Sequence, residues 1–202
     1  MGALFWEARM VDGDSYLQYL ISTATVFPLH KFKYLPAHIW QYLCQADKEK
    51  RHLADIEIVD ISKVSGSSPS DVISLKNMSS ECIQKAKSKL FIQWPYLFEI
   101  GGALSTHERS QACWRDCENF YRVIVYSVAI NHPEFTEKNS IEALKELYRL
   151  LNVPSDGLQC ALDELKDSVC ECFELANGEA STLQTLNLAF EHLTLALFKS
   201  DC

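Results

Sequence analysis

The sequence predicts an all-α fold of about eight helices, and three observations carry that prediction. Apolar residues recur at three- and four-residue spacing through almost the whole chain, the period of a helix with one buried face. Pro, Gly, Asn and Ser clusters fall between those runs and rarely inside them. The 202 residues, 48% of them hydrophobic, are enough to bury one core, so a single domain spanning 1–202 is expected. Periodicity alone leaves a globin-like arrangement and a helix bundle both open.

Taken in order, Asp14 or Ser15 can cap a first helix running to about Phe27, where Pro28 stops it. Pro36 opens a second, "AHIWQYLCQADKEKRHLADI", apolar at Ile39, Tyr42 and Leu43 and charged towards its end. "IEIVDISK" alternates like a strand but has nothing to pair with, so a connector is predicted there. "SGSSPSD", residues 65–71, is a break, with Ser70 or Asp71 starting the next turn. "SSECIQKAKSKLFIQW" follows, its Cys82, Ala86, Leu90 and Trp94 on one stripe. Gly101-Gly102 interrupts the chain at a point where backbone angles closed to other residues are needed. Thr106 then caps a long helix with Arg109 near its third position. "NSIEALKELYRLLNVP" is apolar at Ile141, Leu144, Leu147, Tyr148 and Leu151 and ends at Asn152 and Pro154. Two further amphipathic helices, "SDGLQCALDELKDSVCECFELA" and "STLQTLNLAFEHLTLALF", are separated by "NGEA".

Composition removes several classes of function. A formal charge of −8 and a pI near 5.2 argue against nucleic acid as a partner, since phosphate recognition needs a basic surface. No apolar run is long enough for an integral membrane segment, and no signal peptide is evident. Trp6 stands where myristoylation needs Ser or Thr, and Cys202 is misplaced for prenylation. A cytosolic or stromal protein is therefore expected. The eight cysteines show no C-x-x-C pair or zinc-like spacing, so most read as small buried hydrophobes.

Cys113 is the exception, because of its neighbours in "QACWRDCENFYRVIVYSVAI", residues 111–130. Arg109, Cys113, Asp116 and Phe120 are spaced by four, three and four, which puts them on one helix face with Arg115 to its side. By themselves these residues also suit a surface ion network beside a buried thiol.

A longer stretch discriminates. "GGALSTHERSQACWRDCENFYRVIVYSVAI" resembles the chromophore region of the phycobiliproteins: a Gly-Gly turn, a Thr, an Arg, then Ala-Cys-x-Arg-Asp opening an apolar helix. "LKELYRLLNVP" is similar to that family's Lys-Glu-x-Tyr segment, and the likeness extends over residues 70–198. It implies a globin-like fold holding a bilin, an open-chain tetrapyrrole of the phycocyanobilin or biliverdin type. It further implies Cys113 as the thioether attachment point and Asp116 as acceptor for the inner pyrrole N–H groups. Arg109 and Arg115 would bind the two propionates, and Tyr148 would line the pocket. A carboxylate near the pyrroles favours the protonated, cationic pigment.

Departures from the pattern point away from the light-harvesting antenna. Residues 1–60 do not resemble the helix pair with which antenna subunits clamp a partner, Ala103 replaces an asparagine common in β-subunits, and "ELANGEAST" lacks a second bilin cysteine. Trp114 is bulkier than the usual residue beside the attachment cysteine. The resemblance therefore implies a non-enzymatic, non-antenna bilin carrier similar to the bilin biosynthesis-associated globins, acting as a homodimer or with a phycobiliprotein-like partner subunit. A phycobilisome antenna subunit and a bilin-free structural or regulatory paralogue are the alternatives. A haem globin would need an axial ligand from His30, His38 or His107, none on an evident pocket stripe. A thiol enzyme would need a base near Cys113, and no histidine follows at i+3 or i+4.

Overall fold

The computed structural model describes residues 15–199. Among them the chain forms nine α-helices and two short 3₁₀ turns, with no strand: α1 (Ser15–Thr23), α2 (Ala37–Lys48), α3 (Asp55–Ser65), α4 (Pro69–Asn77), α5 (Ser79–Gln93), α6 (His107–Ala129), α7 (Lys138–Leu150), α8 (Ser155–Leu175) and α9 (Ala180–Phe198), the turns being Leu29–Phe32 and Pro95–Leu97.

The helix beyond the expected number, α3, comes from the first third of the chain. Residues 55–65 are helical where a connector was predicted, because the alternation in "IEIVDISK" is a fragment of a helical pattern. Ile58 and Ile61, three apart, are both buried. Glu57 starts the helix by accepting the Ala54 N–H at 2.7 Å and an Arg51 Nη1–H at 2.7 Å, with Asp55 beside it at the positive end of the helix dipole. Gly66, in the left-handed region at φ 75°, ends it. Pro69 then opens α4 at its first position, slightly ahead of the predicted Ser70 or Asp71.

Two boundaries also move. The first helix ends at Thr23 rather than Phe27, and Phe27 instead turns inward to stack on Phe32 at 4.7 Å. Pro28 disfavours helical geometry in the residue before it, which releases this stretch. Of the two predicted caps, Asp14 lies outside the described residues and Ser15 is the first of α1. The second helix stops at Lys48, since Lys50 takes a left-handed φ of 53° and the Arg51 N–H closes back on the Ala46 carbonyl. Cys82, Ala86 and Leu90 are buried as predicted, but Trp94 lies past the end of α5, 37% exposed.

The long helix α6 runs through the middle of the molecule. Every residue from Phe120 to Ala129 is buried, and α3, α4, α5, α8 and α9 pack around it. The first part of α6, where the chemistry-bearing residues sit, meets the start of α8 and the end of α7. α5 lies lengthwise on α8, and α1 lies on α7 of its own chain.

The loop feeding α6 depends on both of its glycines, for different reasons. Gly101 has φ 89°, which favours glycine outright. Gly102 needs space instead: a Cβ there would lie 2.4 Å from the Tyr96 carbonyl oxygen and 2.5 Å from that of Leu97. Backbone cannot give way as a side-chain tip can, so Gly102→Ala is expected to cost on the order of 2–3 kcal/mol. Urea unfolding would check it: a midpoint within error of wild type would show that the loop moves freely.

Candidate functional site

The site is built on the first turns of α6. Thr106 Oγ1 accepts the Arg109 backbone N–H at 3.2 Å and fixes where the helix begins. One turn on, Cys113 is 7% exposed, with its Sγ 4.0 Å from the Gly157 carbonyl at the start of α8. Gly157 allows that approach: a Cβ on it would sit 2.9 Å from the Ala103 Cβ. Cys117, a further turn along, is wholly buried, and the neighbouring Cys113 together with burial pushes its thiol pKa well up.

Asp116 is 3% exposed and accepts a hydrogen bond from the Tyr148 hydroxyl at 2.9 Å. Tyr148 as a whole is half-buried, with its hydroxyl enclosed. Burial raises the Asp116 pKa to about 6, and the Tyr148 hydrogen bond and the Arg115 charge only partly counter it. The same burial, with Asp116 beside it, drives the Tyr148 pKa well up. The core of the site is thus a buried carboxylate, half-protonated near pH 6 and mostly ionised at neutral pH, held by a neutral hydroxyl.

The five predicted residues divide into two sets. Cys113, Asp116 and Tyr148 come together on the inner side, where α6 meets α7 and α8. Arg109 and Arg115 are exposed, and Arg115 points to the opposite flank of the helix. The single predicted stripe therefore splits: Cys113, Asp116 and Phe120 are buried, whereas Arg109, in the first turn, is not. The surface ion network is corrected as well, since Asp116 is buried and hydrogen-bonded by a tyrosine. Trp114 is 5% exposed and lies under the Lys87 ammonium, 5.4 Å from the ring centre.

Two clefts open on that other flank. One, of about 510 Å³, is lined by Lys87, Phe91, Phe98, His107, Trp114 and Arg115 among others. A larger one of about 750 Å³ lies where the ends of α2 and α4 and the start of α5 face α6. Neither lining includes Cys113, Asp116 or Tyr148.

Sequence reasoning missed a buried polar network further along α6. Arg122 Nη1 donates to Asp47 Oδ1 at 3.1 Å and to the Tyr126 hydroxyl at 2.8 Å, and Tyr126 donates to the Arg51 carbonyl. A lone arginine within "FYRVIVY" was the available signal. The three histidines weighed as haem ligands are all exposed, His30 pairing with Glu137 at 3.0 Å. Among the described residues no group of three metal-ligating side chains forms, and no helix is long and apolar enough to cross a membrane.

With this geometry in place, comparison with known proteins assigns the family. The Phycobilisome protein family model matches residues 41–197. The chain is 27% identical over 129 residues to the C-phycocyanin beta chain of Galdieria sulphuraria, covering 62% of this chain and 75% of that one. It is 27% identical over 127 residues to the allophycocyanin subunit beta-18 of a Nostoc species, covering 63% and 74%. A solved far-red fluorescent biliprotein, derived from an allophycocyanin F subunit of Chroococcidiopsis thermalis, superposes with a TM-score of 0.55 at 18% identity, over 73% of this chain and all of that one. This chain belongs to the phycobilisome protein family, and its architecture is the all-α, globin-like fold of the phycobiliproteins. The match begins inside α2, further back than the motifs alone reach.

Proposed function

We propose that this protein binds a linear tetrapyrrole at the start of α6 and serves bilin metabolism or carriage rather than light harvesting. Cys113 is the attachment residue, Asp116 the acceptor for the pyrrole N–H groups, Arg109 and Arg115 the propionate partners, and Tyr148 a wall of the pocket. The bound bilin would supply the conjugated, visible-absorbing group. Everything else at the site belongs to the chain's own residues.

The observation that carries this reading is the Asp116–Tyr148 pair. A carboxylate this buried, with no cation in contact, is costly unless something with several N–H donors and a positive charge meets it. A protonated tetrapyrrole has both. Family membership supplies the precedent, and the near-closed seat of Cys113 against Gly157 means that its thiol must turn outward to react.

The non-antenna part of the proposal is supported by α1, which lies along α7 of the same chain. The partner would then be a second copy or a phycobiliprotein-like subunit, in the cyanobacterial cytosol or the plastid stroma. A phycobilisome antenna subunit is the second reading, favoured by the identity to phycocyanin and allophycocyanin chains. Co-expression with a bilin-producing pathway tests pigment binding: the purified protein should be coloured and should keep its pigment in acidic urea. Colourless protein, or a haem Soret band alone, would count against the proposal.

A further inference from the structure

The larger cleft on the far flank of α6 shares Arg115 alone with the site above, and none of Cys113, Asp116 and Tyr148 lines it. We propose that it binds a small organic anion carrying at least two acidic oxygen groups, phosphate or carboxylate, gripped between Lys50, Lys76, Arg115 and Arg122. The chain carries a formal charge of −8, yet these four cations line one cleft whose only lining acid is Glu118. At about 750 Å³ the space is far larger than a single phosphate requires and lies within the range of small-molecule sites.

The cations are held in place from behind. Asp47 pairs with both Lys50 at 3.4 Å and Arg122 at 3.1 Å, and Asp55 pairs with Lys76. Asp47, Asp55 and Glu118 set three negative charges against the four positive ones, so the lining keeps a net positive charge. Two buried nitrogens in the lining lack a protein partner: Nε of Arg122, a residue only 5% exposed, and Nδ1 of His52. A buried guanidinium N–H left unmet costs free energy that an anionic oxygen would recover.

The local potential agrees. Burial depresses the His52 pKa to about 4, and the charges of Arg122 and Lys76 add to the effect. Lys50 is lowered too, mainly by burial, with Asp47 opposing and Arg122 reinforcing the shift. An anion seated among these groups would reverse the electrostatic part of both shifts.

Inorganic pyrophosphate is a suitable probe, read by calorimetry and by NMR titration of the His52 imidazole. The expected result is saturable one-to-one binding that survives about 0.15 M salt. Pyrophosphate should bind at least roughly tenfold tighter than inorganic phosphate, and the His52 pKa should rise by on the order of one unit. Lys76→Ala, on the rim, should weaken binding roughly tenfold, while Cys113→Ala should leave it unchanged, which keeps this site separable from the bilin reading. Absence of saturable binding, equal affinity for phosphate and pyrophosphate, or indifference to Lys76→Ala with an unmoved His52 titration would each overturn the proposal.

Discussion

Cys113→Ala will yield protein that shows no zinc-enhanced bilin fluorescence on a denaturing gel, whereas Cys117→Ala will stain like wild type. The two thiols lie one turn apart on the same helix, so their difference begins with access. Cys113 is 7% exposed at the mouth of the site; Cys117 is 0% exposed, and burial beside Cys113 holds its thiol pKa well above the ordinary range. Thiolate is the nucleophile in thioether formation, and a thiol kept protonated in the core does not supply it. Complete loss of signal is the largest effect expected of any single substitution here. Equal staining of the two variants would remove Cys113 from the attachment role.

Asp116→Asn is expected to act in opposite directions with and without pigment. In the pigmented protein the charge-assisted hydrogen bond to the pyrroles, worth about 1.5–3 kcal/mol, is weakened. At about 1.36 kcal/mol per pKa unit, the protonation pKa of the bilin should fall by on the order of 1–2 units. The cation is the form being lost, so the red band fades at lower pH than in wild type, and neutral samples of the variant look bleached. In the pigment-free protein the same change should stabilise. Native Asp116 keeps its proton up to about pH 6, while the unfolded chain gives it up near pH 3.8. Between those values the native state binds more protons, so this residue's contribution to stability falls as pH rises through the window. Wild type carries the full penalty at pH 7; asparagine carries none and keeps an oxygen for Tyr148. A gain of about 3 kcal/mol at pH 7, vanishing below about pH 4, should appear in urea denaturation of the two chains. His52, His132 and His192, all held below their usual pKa chiefly by burial, titrate with the opposite sign but are common to both chains and drop out of the difference. An unchanged bilin titration with pigment still bound would leave Asp116 without contact to the chromophore.

What the sequence made legible follows from what short-range pattern can encode. Helices α5 to α9 were readable within a few residues, because each has a long apolar stripe and α5 to α8 each have a Gly, Asn or Pro just past their end. α3 was not, since an eight-residue window holds barely two turns and "IEIVDISK" satisfies both periods; Glu57 and its bonds to Ala54 and Arg51 decide in favour of the helix. At the site, Cys113 and Asp116 could be placed on one face by counting. Their burial, the Tyr148 hydrogen bond and the divergence of Arg115 to the other flank depend on how α6 sits against α7 and α8, and no local spacing reports that.

The Asp47–Arg122–Tyr126 network has a bearing on where this chain could be cut. The chromophore-region motifs begin only at about residue 70, although the family match reaches back to residue 41, and that invites a trimmed version beginning at α4. That version would strand the Arg122 guanidinium in the core without Asp47 and take the Arg51 carbonyl away from Tyr126. Removing one partner of a buried charge pair costs about 3–5 kcal/mol, a large share of a typical domain's whole stability. The segment before α4 is therefore a fastening for the helix that carries the chemistry: shortened, the protein would forfeit its footing before it lost its pigment.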